Sequence, residues 1–133
     1  MAETAHAMLI ECVTKLGKPN HCTGRMLDED GIDDRGMGPE IFDRARMADA
    51  VAGALDRGVN RVIIDMSESV WITSEGLSQF IGVHELISER NGRMVLANLN
   101  DRIQRIFDVS GLAKVFEITG TVSEALALVE EPD

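Results

Sequence analysis

The sequence predicts an α/β fold with crossover helices and a mainly parallel or mixed sheet, and three observations carry that expectation. From Arg61 onward, strand-like and helix-like segments alternate with short connections, the pattern of a sheet whose strands are joined by covering helices. The run Val62-Ile63-Ile64-Asp65-Met66 is nearly continuous in apolar character, as a strand buried on both faces requires. Leu77, Phe80, Ile81, His84 and Ile87 then recur at helical spacing. With 133 residues, 44% of them hydrophobic, the chain can bury one ordinary core, and residues 1–133 are read as a single domain.

The elements follow in order. Residues 7–13 read as a strand, and 22–27 as a second that pairs with it across the turn cluster Gly17-Lys18-Pro19-Asn20. Residues 28–39 are rich in Asp, Glu and Gly and read as a long acidic surface loop. A helix is expected over 40–57, opened by Pro39, carrying Ile41, Met47, Val51, Ala54 and Leu55 on one face and stopped by Gly58. The strand at Arg61 ends near Met66, Ser67-Glu68-Ser69 extend it as a polar turn, and Val70-Trp71-Ile72 lead into a helix that ends at Asn91-Gly92. A strand over 94–99 follows. Asp101 is expected to cap a short helix bearing Ile103, Ile106 and Phe107, which stops near Gly111. A last strand over 115–118 and a helix over 123–130 complete the chain, with 130–133 as a frayed tail.

Composition removes several classes of function. The net charge of −10, from 23 acidic and 13 basic residues, opposes attraction to phosphate backbones or anionic lipid, so neither a nucleic acid nor membrane insertion is expected. A protein partner with a complementary basic surface is the simpler choice. No apolar run approaches the length of a membrane span, and the N-terminus lacks the order of a secretory signal, so a cytoplasmic location is expected. Cys12 and Cys22 have neither zinc-site nor disulfide-framework context and read as ordinary thiols. His6, His21 and His84 are scattered, with His84 on an apolar helix face where a core histidine is the simpler reading. Asp28, Glu29, Asp30, Asp33 and Asp34 lack the calcium-loop spacing, so no metal and no cofactor is expected, and no catalytic constellation supports an enzyme.

The segment with most functional content is Thr73-Ser74-Glu75-Gly76, which sets two adjacent hydroxyls at a strand-to-helix junction. A hydroxyl in the first turn of a helix faces unpaired backbone N–H groups and the positive end of the macrodipole, which favours an added phosphate. Ser74 is therefore a candidate switch, and the competing explanation is that Thr73 or Ser74 is an ordinary N-cap worth about 1 kcal/mol. Asp65, expected where the central strand meets solvent, reads as a carboxylate accepting backbone hydrogen bonds.

Taken together, the strand ending in Asp65-Met66, the helix start Thr73-Ser74-Glu75-Gly76-Leu77, the strand Gly92-Arg93-Met94-Val95-Leu96-Ala97-Asn98 and the segment Phe107-Asp108-Val109-Ser110-Gly111-Leu112 closely resemble the STAS domain of anti-sigma factor antagonists. The likeness is continuous over the C-terminal half and loose before it. It implies a four- to five-stranded mixed sheet with helices packed mainly on one face, and a non-enzymatic partner-switching role. It further implies that Ser74 is the phosphoacceptor, with Thr73 as the alternative, and that Thr73, Ser74, Glu75, Gly76 and Asp65 bind the partner. That partner would be an anti-sigma factor that is also a serine kinase, and a serine phosphatase would reset the switch. Two positions depart from the pattern: Thr73 replaces the family's Asp, and Glu75 stands where a small residue is usual. A ligand-binding or scaffold subunit of a transporter or stress-signalling complex is the alternative that the resemblance also allows.

Overall fold

In the computed structural model, which describes residues 6–14, 21–28 and 40–130, the chain forms β1 (Ala7–Thr14), β2 (His21–Leu27), β3 (Glu40–Phe42), α1 (Met47–Asp56), β4 (Arg61–Ser69), α2 (Ser74–Glu89), β5 (Arg93–Ala97), α3 (Asp101–Ser110), β6 (Glu117–Thr119) and α4 (Val122–Glu130). The strands make one six-stranded sheet in the order β3-β2-β1-β4-β5-β6. β1 and β2 pair antiparallel, as do β2 and β3. β4 lies parallel between β1 and β5, and β6 adds to β5 in parallel. The acidic segment 29–39, Pro39, the 17–20 turn cluster and the 131–133 tail lie outside the described residues.

β4 is the centre of the sheet, and its sequence shows why. Residues Val62 to Met66 are all buried, so both faces are covered. Alternation then divides them. Val62, Ile64 and Met66 join Met47, Val51, Phe80, Val83, Ile87, Ile103 and Phe107 in the larger core under α1, α2 and α3. Ile63 turns the other way, to Val95, Ala97, Ala125 and Val129 beneath α4. The sheet is mixed as expected, and most helices share a face, but among the described residues there are six strands rather than four or five, and of the described helices α4 alone covers the reverse side.

The extra strand comes from the segment expected to begin a helix. Glu40–Phe42 instead lies along the edge of the sheet against β2. Asp43 caps a short 3-10 turn, Arg44–Arg46, its carboxylate accepting from Ala45 N at 3.2 Å, and α1 begins only at Met47. Ile41 fitted the helical period but is 71% exposed on the edge. The other residues of that stripe, Met47, Val51, Ala54 and Leu55, are buried as expected.

α1 and α2 end in the same way. Gly58 (φ 89°) donates to Leu55 O and Val59 to Ala54 O, while Asn91 (φ 57°) donates to Ser88 O and Gly92 to Ile87 O. These are the paired bonds that satisfy the last carbonyls of a helix through a left-handed residue. In the second case Asn91, not Gly92, takes the positive φ; Gly92 is required because a Cβ there would stand 2.2 Å from Asn60 O. α3 is capped by Asn100, whose Oδ1 accepts from Ile103 N at 2.8 Å, so Asp101 is the first helical residue rather than the cap. Gly111 (φ 82°) ends it.

Candidate functional site

The N-terminus of α2 is held in place by the end of the central sheet. β4 does not turn at Ser67 but runs on to Ser69, a buried residue whose hydroxyl donates to Cys12 O at 2.9 Å. Val70 N then donates to Thr14 O, and the buried Thr14 hydroxyl donates to Trp71 O at 2.9 Å. Asn100 Nδ2 donates to Val70 O at 3.0 Å from the other side. The connection from strand to helix is therefore tied to β1 and to the start of α3, which fixes the direction in which α2 sets out.

Thr73 is the N-cap of α2: its backbone is extended and its Oγ1 accepts from Gly76 N at 3.1 Å. This satisfies one of the helix's orphan donors and occupies the threonine hydroxyl as an acceptor. Ser74 is the first helical residue and is exposed, as is Glu75 beside it. Gly76 is buried. A Cβ there would meet Ile72 Cγ1 at 3.1 Å and Arg44 Nη1 at 3.4 Å. The half-buried guanidinium of Arg44 thus lies against the first turn of α2, adding a fixed positive charge to the positive end of the macrodipole. Arg44 was not singled out from sequence, because it fell inside a stretch read as continuous helix. Only the path of the chain through β3 and the Asp43-capped turn brings it here.

Asp65 occupies a different place. It lies within β4 rather than at its end and is 8% exposed. Two residues after Ile63, it points to the α4 side of the sheet, away from the α2 face. Its carboxylate accepts from Ser67 N at 3.0 Å, Ser67 Oγ at 3.1 Å and Asn98 Nδ2 at 2.9 Å. Both oxygens are satisfied, and the group ties β4 to the chain leaving β5. The structure thus gathers Thr73, Ser74, Glu75 and Gly76 in one helical turn and leaves Asp65 on the opposite face.

Beneath the turn is a narrow cleft of about 10 Å³, roughly the space of one water, bounded by Cys12, Arg44, Trp71, Gly76 and Phe80 among others. His84 is half-buried and packs edge-on to Phe116, with ring centroids 5.2 Å apart. Among the described residues no group of three or more His, Cys, Asp or Glu side chains is arranged to hold a metal ion, and no helix is long and apolar enough to cross a membrane. What the α2 terminus offers chemically is a setting that favours negative charge, since the helix dipole and the Arg44 guanidinium both act at its first turn.

The family model of the STAS domain matches residues 29–125. An anti-sigma-B factor antagonist of Listeria monocytogenes is 34% identical over 61 residues, 46% of this chain and 54% of that protein, so the chain spans about half the length of that relative. An anti-sigma F factor antagonist of Paenibacillus polymyxa is 26% identical over 88 residues, 62% of this chain and 75% of that protein. A crystal structure of a Thermotoga maritima protein superposes with a TM-score of 0.61 at 24% identity, covering 66% of this chain and 76% of the other, a likeness that carries the fold alone.

Proposed function

Because the chain belongs to the STAS domain family, we propose that it is an anti-sigma factor antagonist whose binding to an anti-sigma factor serine kinase is switched by phosphorylation of Ser74. The observation that carries this reading is the division of labour between two adjacent hydroxyls: Thr73 Oγ1 is engaged as the cap of α2, and Ser74 is exposed one residue later. A kinase must reach the hydroxyl it modifies, and the helix that bears it must tolerate the product. A phosphoserine at the first helical position adds about 1.5 to 2 negative charges where the dipole favours them. The partner, docked over Thr73, Ser74, Glu75 and Gly76, meets those charges directly and is released. A serine phosphatase restores the binding form. Thr73 is the weaker candidate acceptor, since its hydroxyl oxygen is already engaged with Gly76 N. No chemistry is performed on a substrate by this chain; the reaction belongs to the kinase.

The test is to capture the protein from its host with bound partners, identify the kinase, and treat the purified chain with that kinase and ATP. Intact mass should show one added phosphate, mapped to the peptide bearing Ser74. Ser74→Ala should abolish it, and Thr73→Ala should leave it in place. Full phosphorylation of Ser74→Ala would move the acceptor elsewhere, and absence of any captured protein kinase would remove the partner-switching reading.

A further inference from the structure

Cys12 and Cys22 had no evident relation in sequence, yet the hairpin register sets them directly opposite each other on β1 and β2. Their sulfurs lie 3.5 Å apart, both side chains are buried, and both thiols are free. Opposed residues in an antiparallel pair have Cα atoms about 4.5 or 5.5 Å apart, and either spacing falls in the window of about 4.4–6.8 Å that a disulfide spans. From this geometry we propose that Cys12 and Cys22 are a redox modification site, closed to a reversible cross-strand disulfide by a hydroperoxide such as hydrogen peroxide.

The chemistry needs one thiolate and a route for the oxidant. Contact with the Cys12 thiol lowers the Cys22 pKa, and Arg44 assists while burial opposes; the same contact, with burial, pushes Cys12 well up. The two sulfurs thus act as one unit that gives up its first proton readily and keeps its second, and a thiolate, not a thiol, is the nucleophile. Cys12 also borders the water-sized cleft at the α2 terminus, so one sulfur of the pair lies at the edge of that space rather than sealed among side chains. The thiolate attacks one peroxide oxygen and becomes a sulfenic acid, while the O–O bond breaks and hydroxide leaves to be protonated as water. The second sulfur then attacks the sulfenic sulfur, forming the S–S bond, and the expelled hydroxide takes that thiol's proton as a second water. Two thiols and one peroxide give one disulfide and two waters. The sulfurs close from 3.5 Å to about 2.0 Å by side-chain rotation, with the strand register unchanged. This site is independent of Ser74.

The experiment uses the full chain in its folded form. After treatment with a slight excess of hydrogen peroxide and removal of the remainder by catalase, the protein is denatured, alkylated with iodoacetamide and digested with trypsin. Trypsin cuts after Lys15, between the two cysteines, so an intramolecular disulfide appears as two linked peptides that dithiothreitol separates. The expected result is loss of both alkylatable thiols, the linked pair in monomeric protein, and full recovery on reduction. Cys22→Ala, checked for folding by circular dichroism, should form no linked pair and leave Cys12 alkylatable after denaturation, because it removes the sulfur that reacts first. Both thiols still alkylated after oxidant has converted methionines to sulfoxides would overturn the proposal, as would cross-links only between molecules.

Discussion

Thr73, Ser74 and Glu75 are neighbours in sequence with three different physical tasks. Thr73 does with a hydroxyl what the family's Asp would do with a carboxylate: it accepts from Gly76 N and starts the helix. Thr73→Ala should therefore cost about 1 kcal/mol in urea unfolding, and Thr73→Asp should restore that loss; an alanine variant as stable as the parent would show that the cap contributes nothing. Glu75 is exposed in the same first turn, where its charge is favoured by the dipole. It also stands where a partner would dock. If it imitates part of a phosphate, Glu75→Ala should tighten kinase binding a few-fold at low salt and less at high salt, because an exposed charge is screened. Weaker binding on removal would mean that Glu75 meets a basic group on the partner. These three residues were legible in the chain because capping and helix-start chemistry is local. Arg44 was not legible, since nothing in its own neighbourhood points to a helix thirty positions further on.

At the level of elements, the sequence pattern found each α-helix among the described residues and missed how some of them are turned. The stripe Leu77, Phe80, Ile81, His84, Ile87 obeys helical spacing, yet α2 buries Gly76, Phe80, Val83 and Ile87, while Ile81 is 38% exposed. The two stripes differ by a modest rotation, and what selects between them is non-local: α2 lies against α1 as well as the sheet. In the same way, the run Val62 to Met66 does not show in sequence which helix each side chain meets, and strand alternation sends Ile63 to α4. Phe80 belongs to both readings. It is 1% exposed and packed in the larger core, so Phe80→Ala should lower stability by about 3 to 5 kcal/mol, measured by chemical denaturation. Ile81→Ala should cost far less, and that contrast checks the corrected face; equal losses would restore the original one. The edge strand Glu40–Phe42 escaped notice because a three-residue strand beside a capped turn has too little sequence to show a period of two.

For the molecule as a whole, the alternation of strand and helix was enough to expect a mixed sheet, but not to say which face each helix would cover. That depends on what the reverse side of β4 and β5 needs. Ile63, Val95 and Ala97 would be a bare apolar patch without Ala125 and Val129 of α4 above them. A nine-residue helix is too short to be stable alone, so its place must be secured by tertiary contacts. The sheet supplies them through two arginines. Arg61 Nε donates to Val129 O at 3.0 Å, and Arg93 Nη1 donates to Leu128 O at 2.7 Å, so both serve the carbonyls at the helix's C-terminus, where positive charge is favoured. Arg93 is itself oriented by Glu117 of β6, with Nη2 to Oε2 at 2.6 Å and Nε to Oε1 at 3.2 Å. One side chain thereby joins β5, β6 and α4. Arg93→Ala leaves Leu128 O without that donor and Glu117 without its partner, a loss of about 2 kcal/mol for a charged hydrogen-bond group. The loss should be local. Hydrogen exchange should show Val122–Glu130 opening far more often in the variant, with protection in α1 and β4 nearly unchanged, because the larger core lies on the other side of the sheet. Uniform loss of protection across both faces would mean that the two cores unfold as one unit, and unchanged protection in Val122–Glu130 would mean that α4 is held by the apolar residues beneath it rather than by the arginines at its end.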